Sequence, residues 1–358
     1  MKIAIDYRLA ASSKRGMARY TREIVHAMVK EHPEHEWILF INRNSGVGEP
    51  LQDQKQVWVY TLSCSNYIWC EQIQIYQALL ATKAEVLWCP YNTFPLWRPA
   101  HTRLVVTIHD LIFLDRPRSK PSWTQRIGAW YRSYVLKHGW HKVDAFLTVS
   151  RFSKRDMIRR IGIPSEQITV GYNCVGTFAK GLMRMTGRGY KREDFYFTVS
   201  GDAPSKNLPF LLAYFSQHPE KQLVVAGVTT DSPIRENAPS NVRFLPGGVS
   251  DETLMKHYLT CKAFVFASLA EGFGLPVVEA MAAGCPLILS DRTSVPEIAG
   301  ALGIYFRPLS ISSLEKAMQR LENWNDNKEQ RKKQLARFMD WNDTAKRVYR
   351  VLINENSK

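Results

Sequence analysis

Short runs of apolar residues, rich in β-branched side chains, recur along the chain and are separated by longer segments with helical spacing. Nearly continuous apolar strands that alternate with helices are typical of parallel sheets covered on both faces. The pattern therefore predicts an α/β protein built from parallel sheets. The predicted strands are KIAIDY, EWILFI, VWVY, EVLWC, RLVVTIH, AFLTVS and ITV in the first half, and FYFTVS, KQLVVAG, NVRFL, AFVFAS, PLILS and GIYF in the second.

The length and one intervening segment predict two domains. A chain of 358 residues is long for a single core and suits two domains. Between the two series of strands lies GTFAKGLMRMTGRGYKRED, which is basic, contains glycine and lacks periodicity, as an interdomain linker does. We predict an N-terminal domain over 1–178, a second domain over 190–335, and a C-terminal helix over 336–358 that packs back on the first domain. Because open α/β sheets bind ligands beyond the carboxyl ends of their strands, the active site is expected in the cleft between the domains.

Composition narrows the class of protein. No apolar run approaches the roughly 20 residues that span a bilayer, and the opening MKIAIDYRLAA is predicted to be a strand and not a signal peptide. The cysteines are scattered, mostly in apolar segments, without C-x-x-C spacing or a His/Cys cluster. They are therefore predicted to be reduced core thiols of a cytoplasmic protein, with no zinc site and no disulfide framework. They are Cys64, Cys70, Cys89, Cys174, Cys261 and Cys285.

The chain is strongly basic, and the excess lies in its first half. The formal net charge is +15, and residues 1–180 contain 25 basic and 14 acidic residues. A basic surface suits nucleic acid, anionic lipid or a phosphate-bearing substrate, and charge alone does not choose among these partners.

The segment AEGFGLPVVEAMAAGCP, residues 270–286, combines a glycine-rich turn with a helix start. Pro276 suits the first helical position and Gly284 suits the position just after the last turn, so a short helix is predicted over about 276–283. The start of a helix presents unpaired amides and the positive end of its dipole, which together can hold an anion. The alternative is a well-capped core helix in which Glu279 only complements the dipole.

The ordered set of motifs resembles the retaining glycosyltransferases of family 4, which have the GT-B architecture. The second half resembles the donor domain of that family through GDAPSKNLPFLLAYF, LVVAGV and the segment from NVRFLPGG to SVPEIAG. The first half resembles the family through GMARYTREIV, VTIHDLIF and VSRFSKRDMIRRIGIP. The resemblance implies an α/β fold of two doubly wound, Rossmann-like domains that face each other across a cleft. It also implies a nucleotide sugar as substrate, no other cofactor and no bound metal.

The resemblance also implies roles for individual residues. Glu279 accepts hydrogen bonds from the ribose and Glu271 from the transferred sugar, while Lys206 and the amides at the helix start hold the diphosphate. Negative charge builds on the departing diphosphate, so preorganised donors and a cation are the groups that this chemistry needs. The implied catalytic residues are His109, Glu271 and Lys206, and the implied donor-binding residues are Gly16, Lys206, Asn207, Leu245, Phe273, Gly274, Leu275 and Glu279.

Some of these positions have simpler interpretations, and the chain departs from the family at others. Taken alone, a lysine after a turn is typical of solvated surface, and a histidine at a strand end is typical of a partly exposed hydrogen-bonding group. The family often has an arginine beside the lysine, where this chain has Ser205; Arg19 is a candidate for the missing phosphate-binding cation. Gly16 matches the glycine loop after the first strand, but Ala18 stands where a second glycine is usual.

Segment 116–142, RPRSKPSWTQRIGAWYRSYVLKHGWHK, interleaves basic and aromatic residues. One hypothesis is a core helix with a solvated basic face. The other is an interfacial helix that meets anionic lipid, as expected for an enzyme with a lipid-linked acceptor. The residues on one helical stripe are Trp123, Ile127, Trp130, Tyr134 and His138, and the basic residues outside it are Arg126, Arg132 and Lys137.

The opening motif and the HDLIF segment most resemble bacterial mannosyltransferases of surface-polysaccharide assembly. The predicted reaction is transfer of a hexose, with GDP-mannose as the first candidate donor and a UDP-sugar as the alternative, to a saccharide or lipid-linked acceptor. The predicted location is cytoplasmic and peripheral, at the inner face of the cytoplasmic membrane. A non-catalytic protein that binds nucleic acid is the remote alternative, and no helix-turn-helix, zinc-finger or RNP-like sequence supports it. A GT-B phosphorylase or epimerase fits the ordered motifs less well.

Overall fold

The structure, a computed structural model, describes residues 1–13, 16–43, 45–46, 48, 51–64, 66–115, 123–186 and 189–355. These residues form two compact units. The first unit contains residues 1–115, 123–173 and 341–355 of the described chain, and the second contains Cys174–Asp340.

Each strand predicted from the apolar runs is present. The strands are β1 Lys2–Asp6, β2 Glu36–Asn42, β3 Val57–Leu62, β4 Val86–Cys89, β5 Arg103–Ile108, β6 Ala145–Thr148, β7 Ile168–Val170, β8 Glu193–Val199, β9 Gln222–Ala226, β10 Val242–Phe244, β11 Cys261–Phe266, β12 Leu287–Ser290 and β13 Gly303–Phe306.

The strands form one parallel sheet in each unit. In the described part of the chain, the first sheet has the order β3-β2-β1-β4-β5-β6-β7 and the second has the order β10-β9-β8-β11-β12-β13. All the strand pairs in both sheets are parallel. Both orders are those of a doubly wound, Rossmann-like sheet, and the chain reverses its direction of winding between β1 and β4 and between β8 and β11.

Helices cover the two sheets. The helices are α1 Arg8–Ser12, α2 Gly16–Glu31, α3 Tyr67–Trp69, α4 Ile75–Thr82, α5 Trp123–Gly139, α6 Arg151–Ile161, α7 Gly176–Thr186, α8 Leu208–Ser216, α9 Asp251–Thr260, α10 Leu275–Ala282, α11 Val295–Ala299, α12 Ile311–Arg320, α13 Lys328–Ala336 and α14 Trp341–Leu352. A π-helical turn, Cys70–Gln74, joins α3 to α4.

The segment predicted to be an irregular linker is in fact largely helical. It forms α7, which buries Phe178, Ala179 and Leu182 against α9 and α10 of the second unit. Its glycines obscured the helical spacing in the sequence. One of them, Gly181, permits close contact, because an added Cβ would lie 2.8 Å from the Cε atom of Met255. The prediction of a linker without regular structure is therefore wrong over α7.

The last helix, α14, belongs to the first unit and packs against α2 and β5. The side chains of Trp341, Ala345 and Val348 are buried at the spacing of one helical face. The hydroxyl of Thr344 donates to the carbonyl oxygen of Tyr172 at 2.7 Å. The burial of this apolar face holds the C-terminal segment on the first sheet.

Two cysteines differ from the prediction that all are reduced thiols. Cys64 and Cys70 form a disulfide, with their Cα atoms 5.7 Å apart. These positions are six residues apart in the sequence, and α3 lies between them. The other cysteines are free and buried, as predicted: Cys89, Cys174, Cys261 and Cys285.

Candidate active site

The second sheet reverses its direction of winding between β8 and β11, and the loops after these two strands lie at this reversal. These two strands are neighbours, but the chain leaves them toward opposite faces of the sheet. The carboxyl edge of a doubly wound sheet at such a reversal is where ligands bind. The loop after β8 contains Lys206, and the loop after β11 contains the EGFG turn. The fold therefore brings two predicted site segments, far apart in sequence, to one edge.

The two loops meet through an ion pair between predicted catalytic residues. The Lys206 Nζ atom lies 2.7 Å from the Glu271 Oε1 atom, and their side chains are 28% and 12% exposed. The backbone amide of Leu269 also donates to the carbonyl oxygen of Ser205 at 2.7 Å. Because the pair is partly buried and the backbone bond joins the two loops, the ammonium group is held at the carboxyl edge of the second sheet and does not extend freely into solvent.

Asn207, next to Lys206, connects the loops around this ion pair. Its backbone has a φ of 55°, in the left-handed region that asparagine tolerates better than most residues. Its side-chain amide donates to the carbonyl oxygens of Ala267 at 3.2 Å and Pro308 at 2.6 Å. Asn207 thus ties together the loops after β8, β11 and β13, and its predicted contact with the donor remains a prediction.

The loop that contains Glu271 is braced by two residues that sequence reasoning missed. The backbone amide of Glu271 donates to the Thr293 hydroxyl at 3.0 Å, and the Ser294 hydroxyl donates to the carbonyl oxygens of Glu271 and Phe273. Thr293 has a φ of 56°, which is rare for a β-branched residue and is found mostly where the surrounding structure imposes it. The Thr-Ser pair just before Val295-Pro296 was the available sequence signal.

Helix α10 begins where the glycine turn predicted it. The predicted helix spans 276–283 and the observed helix spans Leu275–Ala282. Gly274, at the N-cap, has a φ of 101°, and Gly284, after the last turn, has a φ of 63°. Both conformations favour glycine, which explains the glycines on either side of the helix. Glu279 projects from α10 and accepts a hydrogen bond of 2.8 Å from the Tyr258 hydroxyl.

Leu245, predicted to bind the donor, directly follows β10. Its side chain is buried, and its amide donates to the carbonyl oxygen of Val225 at 2.8 Å. The guanidinium group of Arg235 donates to the carbonyl oxygens of Leu245 at 2.7 Å and Val228 at 2.8 Å. Arg235 therefore fixes the backbone at the carboxyl ends of β9 and β10, a role that the sequence did not indicate.

In the first unit, His109 follows β5 and is buried. Its Nε2 atom lies 2.9 Å from the carbonyl oxygen of Pro90, and its backbone amide donates to the Asn92 side chain at 2.7 Å. A carbonyl oxygen can only accept, so Nε2 carries the proton and Nδ1 is the acceptor. Burial lowers the pKa of His109 to about 4, although the bond to Pro90 opposes this effect. The imidazole is therefore neutral at physiological pH.

Two further predicted residues lie on α2 of the first unit. Gly16 is the first residue of this helix. Arg19 lies one turn further on, and its Nε atom is 3.9 Å from the Glu23 carboxylate. The structure thus divides the predicted residues: Gly16, Arg19 and His109 belong to the first unit and the others to the second.

A buried charged cluster at the carboxyl end of β1 was not predicted. The Arg8 guanidinium lies 2.7 Å from the Asp6 carboxylate and 3.3 Å from that of Glu71. Glu71 also accepts hydrogen bonds from the hydroxyls of Tyr131 at 2.6 Å and Thr93 at 2.7 Å. Because all these groups are paired, the cluster fixes the carboxyl edge of the first sheet. The charged Asp-Tyr-Arg sequence directly after an apolar strand was its signal.

Among the residues that the structure describes, no group of three or more His, Cys, Asp or Glu side chains could hold a metal ion. Within the same residues, no helix combines the length and the apolar character needed to cross a bilayer.

The chain matches two protein families over most of its length. Residues 14–177 match the family described as Glycosyltransferase Family 4, and residues 186–337 match the family described as Glycosyl transferases group 1. The O-antigen chain mannosyltransferase B of Escherichia coli is 28% identical over 230 residues, which are 59% of this chain and 59% of that protein. The MMP α-(1→4)-mannosyltransferase of Mycolicibacterium hassiacum is 29% identical over 234 residues, which are 61% of this chain and 56% of that protein.

A solved structure shares the fold across the whole chain. Sucrose-phosphate synthase from Thermosynechococcus elongatus superposes with a TM-score of 0.71 at 17% identity, covering 99% of this chain and 100% of that one. The two Rossmann-like units are therefore those of the GT-B class of glycosyltransferases, as predicted. The two family matches together cover most of the chain and show that it is a glycosyltransferase, whose first half matches Family 4 and whose second half matches group 1. The alignments span less than two thirds of the length of each of these two curated relatives.

Proposed function

We propose that the protein is a retaining glycosyltransferase that transfers a hexose from a nucleotide sugar to a saccharide or lipid-linked saccharide in surface-polysaccharide synthesis. The observation that carries this proposal is the position of the Lys206–Glu271 pair at the reversal of the second sheet, beside the start of α10. A cation, a helix start and two carboxylates at one sheet edge suit a ligand with a diphosphate between two polyhydroxylated groups.

The chemistry assigns a role to each of these groups. As the bond between the sugar and the diphosphate breaks, negative charge grows on the leaving oxygen. Lys206 and the backbone amides around Gly274 and Leu275, at the start of α10, stabilise that charge without reorganising, which lowers the barrier. Before the donor binds, the ion pair with Glu271, 2.7 Å long, holds the Lys206 ammonium group at this edge of the sheet. Glu271 then accepts hydrogen bonds from the sugar, and Glu279 accepts them from the ribose.

His109 contributes as a neutral group. The Nε2–H group of His109 donates to the carbonyl oxygen of Pro90. Nδ1 is then the nitrogen that can accept a hydrogen bond from a hydroxyl group of the transferred sugar. An imidazole that stays uncharged at physiological pH orients the sugar and does not act as a strong general acid. The enzyme therefore relies on stabilisation of the leaving group and not on protonation by this histidine.

The first candidate donor is GDP-mannose, because the curated relatives described above are named as mannosyltransferases. A UDP-sugar is the alternative. Calorimetry with GDP, UDP and ADP, followed by transfer assays with GDP-mannose and UDP-hexoses, tests both. We expect GDP to bind tightest and the product to keep the anomeric configuration of the donor by NMR. An inverted product would refute the retaining mechanism, and failure of all three nucleotides to bind would refute the proposed function.

We further propose that α5 docks the protein on an anionic membrane surface. The aromatic stripe predicted on this helix is exposed: Trp123 is 75% exposed, Trp130 64% and Tyr134 45%. The buried face carries other residues, Tyr131, Val135, Leu136 and Gly139. The core-helix interpretation of the stripe is thus wrong. Exposed aromatic side chains next to basic ones suit the boundary between lipid headgroups and acyl chains.

Vesicle co-sedimentation tests the membrane proposal. Replacing Arg126, Arg132 and Lys137 with serine should release the protein from anionic vesicles at low salt, since each basic residue near the surface contributes about 1 kcal/mol. Replacing Trp123 and Trp130 with serine should remove the part of the binding that survives high salt, because that part depends on the apolar rings. Equal sedimentation of the wild type and both variants would contradict the proposal.

A further inference from the structure

In the second unit, Glu279 is hydrogen-bonded to a tyrosine, Tyr258. Its side chain is fully buried near the C-terminal end of α9, and its hydroxyl donates to the Glu279 Oε2 atom at 2.8 Å. A buried hydroxyl needs a partner. This one is bonded to a half-buried carboxylate at the crevice and not to a backbone carbonyl within its own helix. The bond therefore connects the core of the unit with the candidate nucleotide site.

The tyrosine ring has little freedom to move. Phe197 on β8 contacts it edge-on at a centroid distance of 5.0 Å, Phe264 on β11 lies at 5.4 Å, and Phe178 on α7 lies at 6.4 Å. Packed aromatic rings fix the direction of the hydroxyl, because rotating it would require several side chains to move together. The hydroxyl is thus a rigid donor aimed at one carboxylate oxygen.

The proton stays on the tyrosine. Burial raises the pKa of Tyr258 well above its ordinary value, and the negative charge of Glu279 adds to the effect. The phenol is consequently a donor at any pH at which the enzyme would work, and the Glu279 carboxylate is the acceptor.

We propose that Tyr258 is a positioning residue that holds the Glu279 carboxylate in the orientation that accepts hydrogen bonds from the ribose of the donor nucleotide. This inference rests on the proposed function. A glutamate on a helix face has several rotamers, and fixing one of them before binding removes an entropic cost of association. The hydroxyl of Tyr258 holds one oxygen of Glu279 and so restricts the orientation of the carboxylate.

The test is Tyr258→Phe, which keeps the ring and removes only the hydroxyl. Affinities of the wild type and the variant are measured by calorimetry for GDP and UDP, and for the 2′,3′-dideoxy analogue of whichever binds tighter. We expect the variant to bind the normal nucleotide roughly 3- to 10-fold more weakly. Binding of the dideoxy analogue should be unchanged, because it has no ribose hydroxyls for Glu279 to accept. The ratio of the affinity for the normal nucleotide to the affinity for its dideoxy analogue should therefore be smaller in the variant than in the wild type.

Two controls separate positioning from a general structural effect. Tyr214→Phe changes another buried tyrosine of the second unit and should leave the preference as in the wild type. In a Glu279→Ala background, adding Tyr258→Phe should have no further effect on affinity, because the carboxylate through which it acts is absent.

The outcomes distinguish this inference from the proposed function. If Tyr258→Phe weakened binding of the normal nucleotide and of the dideoxy analogue equally, or left both affinities unchanged, the role of Tyr258 would be overturned. The nucleotide site itself would remain. A full effect of Tyr258→Phe in the Glu279→Ala background would also overturn it. If the wild type bound neither GDP nor UDP, the proposed function would fail and this inference with it.

Discussion

His109 is predicted to remain uncharged down to a pH well below that of an ordinary histidine. Burial lowers its pKa from 6.5 to about 4 in the folded protein. The side chain is 5% exposed and lies edge-on to Tyr20, with ring centroids 4.9 Å apart. Unfolding restores its contact with water and therefore its ordinary pKa.

The sign and size of the effect on stability follow from these two values. Between pH 6.5 and pH 4 the unfolded chain takes up a proton at His109 that the folded protein does not, so stability is lost as the pH falls through this window. The difference between the two pKa values corresponds to about 3 kcal/mol below pH 4. At pH 5 the loss is about 2 kcal/mol relative to pH 7.5.

The first measurement is an NMR titration of the histidine ring protons. One of the nine histidines should keep the shift of a neutral ring down to about pH 5, and its signal should be absent in His109→Gln. Glutamine is the matched replacement because its amide can still donate to the carbonyl of Pro90 but cannot titrate.

The second measurement is urea unfolding followed by tryptophan fluorescence. Nine of the ten tryptophans belong to the first unit, which contains His109, so the signal reports mainly on that unit. With a urea dependence of about 2 kcal/mol per M, the wild-type midpoint should fall by about 1 M more than that of His109→Gln between pH 7.5 and pH 5. Parallel falls in the two midpoints, or a His109 signal that titrates near pH 6.5, would refute the reasoning.

The remaining predictions concern the second unit. Lys206→Ala should lower kcat by roughly 10²- to 10³-fold, because the cation acts most strongly when charge develops on the diphosphate; steady-state kinetics in which only the acceptor KM rises would place this lysine elsewhere. Glu279→Ala should weaken nucleoside diphosphate binding by about 1–3 kcal/mol in calorimetry, since the ribose hydroxyls lose their acceptor, and unchanged affinity would contradict the ribose assignment. Gly227→Ala should destabilise the second unit by about 2 kcal/mol or more, because the residue has a φ of 90° and an added Cβ would lie 2.3 Å from the carbonyl oxygen of Ser200. Gly201→Ala is its control, since the nearest atom to an added Cβ there is 3.8 Å away, and equal thermal midpoints for the two variants would show that the clash is relieved.

Local features of the sequence were enough to predict the sheets and the turn before α10. A strand that is buried on both faces is apolar along most of its length. Such a run can be recognised in the sequence without knowing which strands lie next to it in the sheet. The conformations of Gly274 and Gly284 were also predictable, because a left-handed backbone at a helix end favours glycine for purely local steric reasons.

Local sequence features did not predict the helix α7, the exposure of the aromatic stripe on α5 or the disulfide. The helical spacing of α7 was obscured by its glycines, and only its contacts with α9 and α10 show which face is buried. On α5 the aromatic stripe was identified from the sequence, but spacing alone does not say whether a stripe faces a core or solvent. The disulfide between Cys64 and Cys70 likewise depends on the folded backbone, which places their Cα atoms 5.7 Å apart.

The sequence by itself determined the α/β class, the two series of strands and the identity of the residues that resemble the family's site. Only the tertiary structure decided which of them pair. Lys206 and Glu271 are 65 positions apart and meet because β8 and β11 are neighbours in the second sheet. The contact of Tyr258 with Glu279 likewise depends on the fold of the second unit, in which α7 packs against both α9 and α10. Periodicity reports the environment of one residue, whereas a hydrogen bond between distant residues depends on the topology that brings two backbones together.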